Sequence, residues 1–234
     1  MSANLTLIPT PIAESLPLEP VARALLESVC LLPDTVILVE EHKVARRRWI
    51  EWGLPREVID RFQLLNEHSR EEETRDIIRS MRNGKKYYLM SDAGLPAFCD
   101  PGQVLVDACH EGGLKVTSTP FPNSIALALA LSGFSHARFY FAGFLPANSD
   151  ERKRELERLA RMNETIILMD TPYRMAAVLN DIAQGSGLKK RKCFLAMDLN
   201  GADELLIRGD CSEVNARVKT MGKREFIVVL APLS

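Results

Sequence analysis

The sequence has few cysteines, and none of them lies in a recognisable metal or disulfide motif. Five cysteines are scattered over 234 residues, and no two are spaced as Cys-x-x-Cys. Structural zinc sites and disulfide frameworks depend on cysteines at regular spacings. The four histidines also lack ligand spacing. We therefore expect no metal site, and we expect a protein of the reducing cytoplasm.

Long apolar runs and an excess of charge are missing as well. No stretch reaches the ~18 apolar residues of a membrane-spanning helix, and residues 1–11 lack the pattern of an export signal. The 30 basic and 31 acidic residues leave a net charge of −1. We expect no membrane association, and any nucleic-acid site must be a local basic patch.

Three segments could form such a patch: Lys43–Arg48, Arg152–Arg154 and Lys189–Lys192. Each of them is equally compatible with a solvated helix or loop face.

Several well-known catalytic motifs are also absent. The chain has no Gly-x-Gly-x-x-Gly turn and no Gly-x-x-x-x-Gly-Lys-Ser/Thr loop, which disfavours NAD and ATP as ligands. It has no His-Glu-x-x-His helix and no Gly-x-Ser-x-Gly elbow. Neither metalloprotease nor serine-hydrolase chemistry is therefore predicted.

The first half of the chain alternates predicted strands and helices. A composition of 46% apolar and 26% charged residues is typical of a globular protein. Alternation of this kind favours an α/β fold with a mainly parallel sheet. The predicted strands are Leu5–Ile8, Thr35–Val39, Lys86–Met90 and Leu114–Thr117, and the predicted helices are Pro20–Leu31, Val44–Trp52, Arg70–Asn83 and Gln103–Glu111.

The composition changes near Pro120-Phe121-Pro122, and we predict two α/β domains, residues 1–118 and 119–234. The second domain should hold a mixed sheet, because Leu205–Arg208 and Phe226–Leu230 follow one another without an obvious crossover. Its other predicted strands are Phe139–Phe141, Thr165–Met169 and Cys193–Met197, and its predicted helices are Ser124–Leu131, Asp150–Met162 and Tyr173–Ile182.

The segment Ser91–Gly102, with the sequence Ser-Asp-Ala-Gly-Leu-Pro-Ala-Phe-Cys-Asp-Pro-Gly, is the best candidate for a ligand site. It follows a predicted parallel strand, and open α/β sheets bind ligands at the carboxyl ends of their strands. Gly94 and Gly102 let the backbone approach a ligand closely, and the two prolines stiffen the loop. A tight turn with capping aspartates is the structural alternative.

This segment resembles the Ser-Asp-Ala-Gly-x-Pro-x-x-Ser-Asp-Pro-Gly signature of the tetrapyrrole methylases, with Cys99 in place of the second serine. The similarity is greatest to the branch that methylates a cytidine ribose in small-subunit ribosomal RNA. Five further segments match that branch in the right order: Thr10–Ile12, Glu40–Lys43, Pro120–Ser124, Gly143–Pro146 and Asp170–Arg174.

The resemblance implies two α/β domains with a cofactor cleft between them, S-adenosylmethionine as the cofactor, and a homodimer. Carried over to this chain, it also implies a set of cofactor-binding residues. They are Pro11, Ser91, Asp92, Ala93, Gly94, Pro96, Phe98, Ser124, Ile125, Pro172, Tyr173 and Met197.

Glu40, Glu41 and Lys43 are the candidate catalytic residues, because an alcohol acceptor must lose its proton. Either glutamate could be the base, or could bind substrate together with Lys43. The alternative is a helix N-terminal acid that faces the helix dipole. Arg174 could pair with a substrate phosphate, or with the neighbouring acid Asp170.

Two departures from the branch leave the methyl acceptor open. Ala13-Glu14-Ser15 replaces its Gly-Asn-Leu, and Met197–Gly201 replaces its basic Arg-Glu-Leu-Thr-Lys. Ribosomal RNA or the small ribosomal subunit is the expected partner. The alternatives are a small cyclic, tetrapyrrole-like substrate, or a cofactor-binding module without catalysis.

Overall fold

A computed structural model describes residues 3–66, 71–121, 123–184 and 187–233. The chain divides into two compact units, residues 1–123 and 124–234. The first residue of the predicted helix Arg70–Asn83, the histidine at position 68 and Pro122 of the Pro120–Ser124 match lie outside the described residues. Within the described ranges no helix is long and apolar enough to cross a membrane.

The N-terminal unit is built on a five-stranded parallel sheet, which confirms the predicted mainly parallel sheet but has one strand more than the four predicted. The strand order is β3-β2-β4-β1-β5, so that β1 lies between β4 and β5. The strands are β1 (Leu5–Ile8), β2 (Thr35–Val39), β3 (Gln63–Leu64), β4 (Lys86–Met90) and β5 (Val116–Ser118). The carboxyl ends of all five strands therefore lie at one edge.

Helices cover both faces of this sheet. Alternate residues of β4 show it, because Tyr88 and Met90 belong to one core cluster, and Tyr87 and Leu89 belong to another. The helices are α1 (Pro20–Val29), α2 (His42–Glu51), α3 (Glu71–Arg82) and α4 (Gln103–Glu111), and a 3₁₀ turn spans Arg56–Arg61. Helix α2 begins two residues before the predicted start at Val44.

The C-terminal unit holds a mixed sheet in the order β6-β7-β10-β8-β9. Its strands are β6 (Phe139–Gly143), β7 (Thr165–Asp170), β8 (Lys192–Met197), β9 (Leu205–Asp210) and β10 (Phe226–Leu230). Among the described residues of this unit, β6 pairs with β7 in parallel, and the β7–β10, β10–β8 and β8–β9 pairs are antiparallel. The mixed sheet confirms the prediction, but β9 and β10 do not pair with each other, because β8 lies between them.

Four helices complete this unit: α5 (Ser124–Ser132), α6 (Ser149–Ala160), α7 (Met175–Gln184) and α8 (Cys211–Val218). Helix α8 connects β9 to β10, where the sequence suggests no crossover, and that part of the prediction is wrong. The helix predicted from Tyr173 begins instead as a 3₁₀ turn, Pro172–Arg174, because the proline fixes the first turn before α7 starts.

Candidate active site

Three loops meet at the carboxyl edge of the parallel sheet. Thr10 follows β1, Glu40 follows β2, and Ser91 follows β4. Thr10 and Gly94 exchange two backbone hydrogen bonds, with N to O distances of 2.9 and 3.0 Å. The hydroxyl of Thr10 donates to the carbonyl of Ser91 at 3.2 Å. The Thr10-Pro11 loop and the Ser91–Gly102 loop are therefore one hydrogen-bonded structure.

The Ser91–Gly102 loop is turned by four residues in the left-handed region. The φ angles are 93° at Gly94, 63° at Ala97, 64° at Cys99 and 120° at Gly102. Left-handed backbone is unfavourable for residues with a side chain, and such residues concentrate at ligand-binding sites. The conformation fits a ligand-binding loop better than an ordinary turn.

The two glycines of this loop have different surroundings. A Cβ added to Gly102 would lie 2.5 Å from Leu89 Cδ2, so glycine is required there by packing. A Cβ added to Gly94 would meet no atom within 4 Å. Open space beside backbone is what a closely approaching ligand needs. Gly94 is therefore the point of the loop best suited to contact a ligand.

Three carboxylates gather at this edge: Glu40, Asp92 and Asp100. Glu40 Oε2 accepts a hydrogen bond from the backbone N–H of Asp92 at 3.3 Å. Burial, reinforced by the charge of Glu40, raises the pKa of Asp92 to about 6 and that of Asp100 to about 7. Asp100 belongs to the site although the sequence-based selection leaves it out; its place in the motif was the available signal.

The buried side chain of Arg48 supports the Thr10-Pro11 loop. It lies on the buried face of α2 with 3% of its surface exposed, and its Nη1 donates to the carbonyl of Pro11 at 2.8 Å. Burial lowers its pKa. Its Nε finds no acceptor in the described part of the chain. An unsatisfied buried donor next to this loop is typical of a site that a ligand or water completes.

The other two catalytic candidates, Glu41 and Lys43, lie at the start of α2. Glu41 is exposed at the N-cap of α2 and makes no side-chain capping bond, and its position is compatible with the alternative of an acid that faces the helix dipole. Lys43 is exposed and is the second residue of α2. Glu40 and Glu41 are both brought to the Ser91–Gly102 loop, Glu40 through its carboxylate and Glu41 through its backbone N–H, which donates to the Asp92 carboxylate.

The candidates in the C-terminal unit differ in exposure. The side chains of Ile125 and Met197 are buried in that unit's core, so only their backbone could reach a ligand. Ser124 begins α5 and is partly exposed. Tyr173 is 76% exposed, and Lys223 Nζ lies 4.1 Å from its ring centroid. Tyr173 offers an accessible aromatic face, whereas Met197 does not offer a side chain.

Arg174 connects two of the family-like segments. Its guanidinium donates to the carbonyls of Leu145 and Pro146, at 2.9 and 2.8 Å, and lies 3.3 Å from Asp170 Oδ2. The side chain of Asp170 is almost fully buried. These contacts favour the interpretation that Arg174 pairs with Asp170 over one in which it binds a substrate phosphate.

The residues at the sheet edge fit S-adenosylmethionine. The cofactor carries a sulfonium and an ammonium, and the carboxylates of Glu40, Asp92 and Asp100 provide complementary charge. The amide and carbonyl of Gly94 are bonded to Thr10, and the absence of a side chain leaves open space beside this backbone for a ligand. This donor set contains the types of group that such a cofactor requires.

Sequence and structure comparisons agree on the family. The profile of the tetrapyrrole (corrin/porphyrin) methylases matches residues 22–215. A ribosomal RNA small subunit methyltransferase I from Xylella fastidiosa is 31% identical over 230 residues, covering 97% of this chain and 81% of that protein. The protein of the same name from Leptospira borgpetersenii is 36% identical over 173 residues, covering 73% and 68%.

The fold agrees as well. The crystal structure of a diphthine synthase matches with a TM-score of 0.68 at 12% identity, covering 97% of this chain and 89% of that one. With the motif, the loops at the sheet edge and these relatives, the chain belongs to the tetrapyrrole (corrin/porphyrin) methylase family and is a methyltransferase whose methyl donor is S-adenosylmethionine.

Proposed function

We propose that this methyltransferase methylates a ribose 2′-hydroxyl of small-subunit ribosomal RNA. This substrate is supported by its relatives, which are ribosomal RNA small subunit methyltransferases. The observation that carries the proposal is the placement of Glu40 at the backbone of Asp92, on the loop that Thr10 and Gly94 hold. A hydroxyl acceptor needs such a carboxylate, because its proton must leave as the methyl group arrives.

We propose the same cofactor-binding residues as the family resemblance implies. They differ in the groups that they could offer to the cofactor. Gly94 contributes backbone beside open space, and Asp92 contributes charge near the cationic part of the cofactor. Tyr173 contributes an exposed ring. Met197 and Ile125 could contribute only backbone. The other members of the set are Pro11, Ser91, Ala93, Pro96, Phe98, Ser124 and Pro172.

The chain's own contribution to catalysis would be positioning and proton removal. S-adenosylmethionine supplies an activated methyl group for in-line displacement. Holding the acceptor oxygen about 3 Å from that methyl supplies most of the acceleration. Glu40 would accept the hydroxyl proton, and its hydrogen bond from the Asp92 N–H would keep its carboxylate oriented.

The proposal is tested by incubating the protein with small ribosomal subunits that lack the modification and with methyl-labelled S-adenosylmethionine. We expect label in the RNA, on a ribose. Glu40→Gln keeps the acceptor oxygen for the Asp92 N–H but removes the base, and should lower kcat by about 10²–10⁴-fold with little effect on cofactor affinity.

Two outcomes would contradict parts of this proposal. Absence of label, with cofactor binding intact, would exclude small-subunit RNA as the acceptor. A larger loss in Glu41→Gln than in Glu40→Gln would show that the base is assigned to the wrong glutamate.

We further propose that the protein acts in the cytoplasm, where its substrate would be, and as a homodimer. The family resemblance motivates the dimer. Light scattering should give twice the 26.2 kDa of one chain, and the mass of a single chain at working concentration would refute it.

A further inference from the structure

Two of the three basic segments, Arg152–Arg154 and Lys189–Lys192, make ion pairs and hydrogen bonds within the protein. Arg152 pairs with Asp181 at 2.7 Å. Arg191 is buried and donates to backbone carbonyls, and Lys192 pairs with Asp210 at 2.8 Å. The exposed cations that remain in these segments, Lys153, Arg154, Lys189 and Lys190, do not line the groove described below.

The third segment, Lys43–Arg48, is different because it lies in helix α2, which places its residues on two opposite faces. Arg46 and Arg47 lie three and four residues after Lys43 and four and three residues before Ile50, which places all four on one side of the helix. Arg48 belongs to the opposite, buried side. The sequence run of cations is therefore an exposed basic face with one inward-pointing arginine.

This face forms one wall of an open groove of about 1020 Å³. The 3₁₀ turn Arg56–Arg61 forms the other wall. The lining residues are His42, Lys43, Arg46, Arg47, Ile50, Arg56, Ile59 and Asp60. Four of them are lysine or arginine and one is aspartate, in a chain whose net charge is −1.

Most of the positive charge in this groove is available. Lys43, Arg46 and Arg56 are exposed and have no ion-pair or hydrogen-bond partner within the described ranges. Arg47 pairs with Glu14 at 2.6 Å, but both side chains are largely exposed, so a partner could displace this pair. Unpaired cations on both walls of one groove suit a polyanion.

We propose that this groove, lined by Lys43, Arg46, Arg47 and Arg56, binds the phosphate backbone of the RNA that the enzyme methylates. This inference rests on the proposed function. Arginine binds phosphate through a planar, bidentate fork, and three of the four cations are arginine. Helix α2 begins directly after Glu40 and Glu41, so RNA held along it is led to the sheet edge that carries the proposed base.

The test measures how RNA affinity depends on salt. A double variant, Arg46→Gln with Arg56→Gln, removes one unpaired cation from each wall. The matched control, Lys189→Gln with Lys190→Gln, removes two exposed cations from the C-terminal unit. The probe is a short fluorescein-labelled single-stranded RNA, titrated between about 50 and 200 mM salt.

Each phosphate contact to a single strand contributes about 0.7 to the slope of log K against log salt. We expect the groove variant to lose about 1.4 from that slope, and the control to keep the wild-type slope. Circular dichroism and calorimetric binding of S-adenosylmethionine should be the same for all three proteins.

Equal slopes for wild type and the groove variant would overturn the inference, as would RNA binding that does not respond to salt. The same holds if the groove variant loses only the binding of polyglutamate, because the groove would then serve an acidic protein segment. If the groove variant has a lower salt slope than the wild type but the wild type labels no ribosomal RNA, the proposed function fails and the groove is still an RNA-binding site. If ribosomal RNA is labelled and the groove variant keeps the wild-type salt slope, the proposed function is supported and the groove does not bind the RNA.

Discussion

Gly94 and Gly102 lie eight residues apart in one loop, yet glycine is needed at each for a different reason. At Gly102 a side chain would collide with Leu89, so the requirement comes from packing. At Gly94 the backbone is left-handed and the neighbouring space is open. A substitution at Gly94 should therefore act mainly on what enters that space.

Gly94→Val should abolish S-adenosylmethionine binding while the protein stays folded. The left-handed backbone costs a side chain about 1–2 kcal/mol of stability, and the branched side chain occupies the ligand's space. Gly84→Val is the matched control, because Gly84 has a φ of 95° against 93° and also faces open space. Calorimetry measures the affinity for S-adenosylmethionine, and urea unfolding measures the loss of stability. Retained cofactor affinity in Gly94→Val would show that the site lies elsewhere.

Asp100 makes stability depend on pH. Its pKa is about 7 in the folded protein, against an ordinary 3.8, because burial disfavours the charged form. Between these values the folded protein binds more protons than the unfolded chain, so the free energy of unfolding falls as pH rises from about 4 to 7.

Asp100→Asn should remove this contribution and stabilise the protein above pH 7 by on the order of 1 kcal/mol, after allowance for partial solvation. Its stability should also decline less between pH 4 and 7 than that of the wild type. Urea unfolding at several pH values measures both effects. Asp107→Asn, on the exposed side of α4, is the control. A variant whose pH profile follows the wild type would contradict the assignment.

At the scale of elements, β6 and the turn before α7 are joined through Arg174. The Gly143–Pro146 segment follows from β6, and the arginine donates to two of its carbonyls. Asp170, at the end of β7, lies against the same guanidinium. Two segments that match the family in sequence are thus one structural unit.

Arg174→Met should destabilise the protein by about 2–4 kcal/mol, because two carbonyls lose their donors and the buried Asp170 carboxylate loses its cation. Arg158→Met is the control, since Arg158 pairs with Glu155 at the surface and should cost about 1 kcal/mol or less. Chemical denaturation measures the free energy of unfolding of both variants. Equal losses would mean that Arg174 does not hold the two segments together.

The elements themselves follow largely from local pattern. Strands β1, β2, β4 and β10 and helix α4 have their predicted bounds, because each is an uninterrupted apolar run or a periodic segment between turn residues. Helix α8 was missed, although Asp210 and Glu213 form a capping box that marks its start. The short β3 has only two residues and no pattern of its own.

For the whole molecule, the near-neutral net charge means that no global field draws RNA to the protein. Any salt dependence must come from local contacts. This distinguishes the two substrate classes that the sequence leaves open, because a small cyclic substrate makes few phosphate-like contacts.

We expect the KM for ribosomal RNA to rise steeply between about 50 and 200 mM salt, while the affinity for S-adenosylmethionine changes little. Steady-state methylation assays with calorimetry at each salt concentration measure both quantities. A KM for RNA that is insensitive to salt would contradict the RNA assignment and favour a small substrate.

The sequence alone determines the family, most of the elements and the site motif, since apolar periodicity and a dense Gly-Pro-Asp signature are local properties. Tertiary structure decides which residues meet. The pairing of β1 with β4 brings Thr10 to Ser91 across 81 positions, and the packing of α2 turns Arg48 inward and its neighbours outward. Long-range pairing and burial depend on the whole core, so no local pattern encodes them.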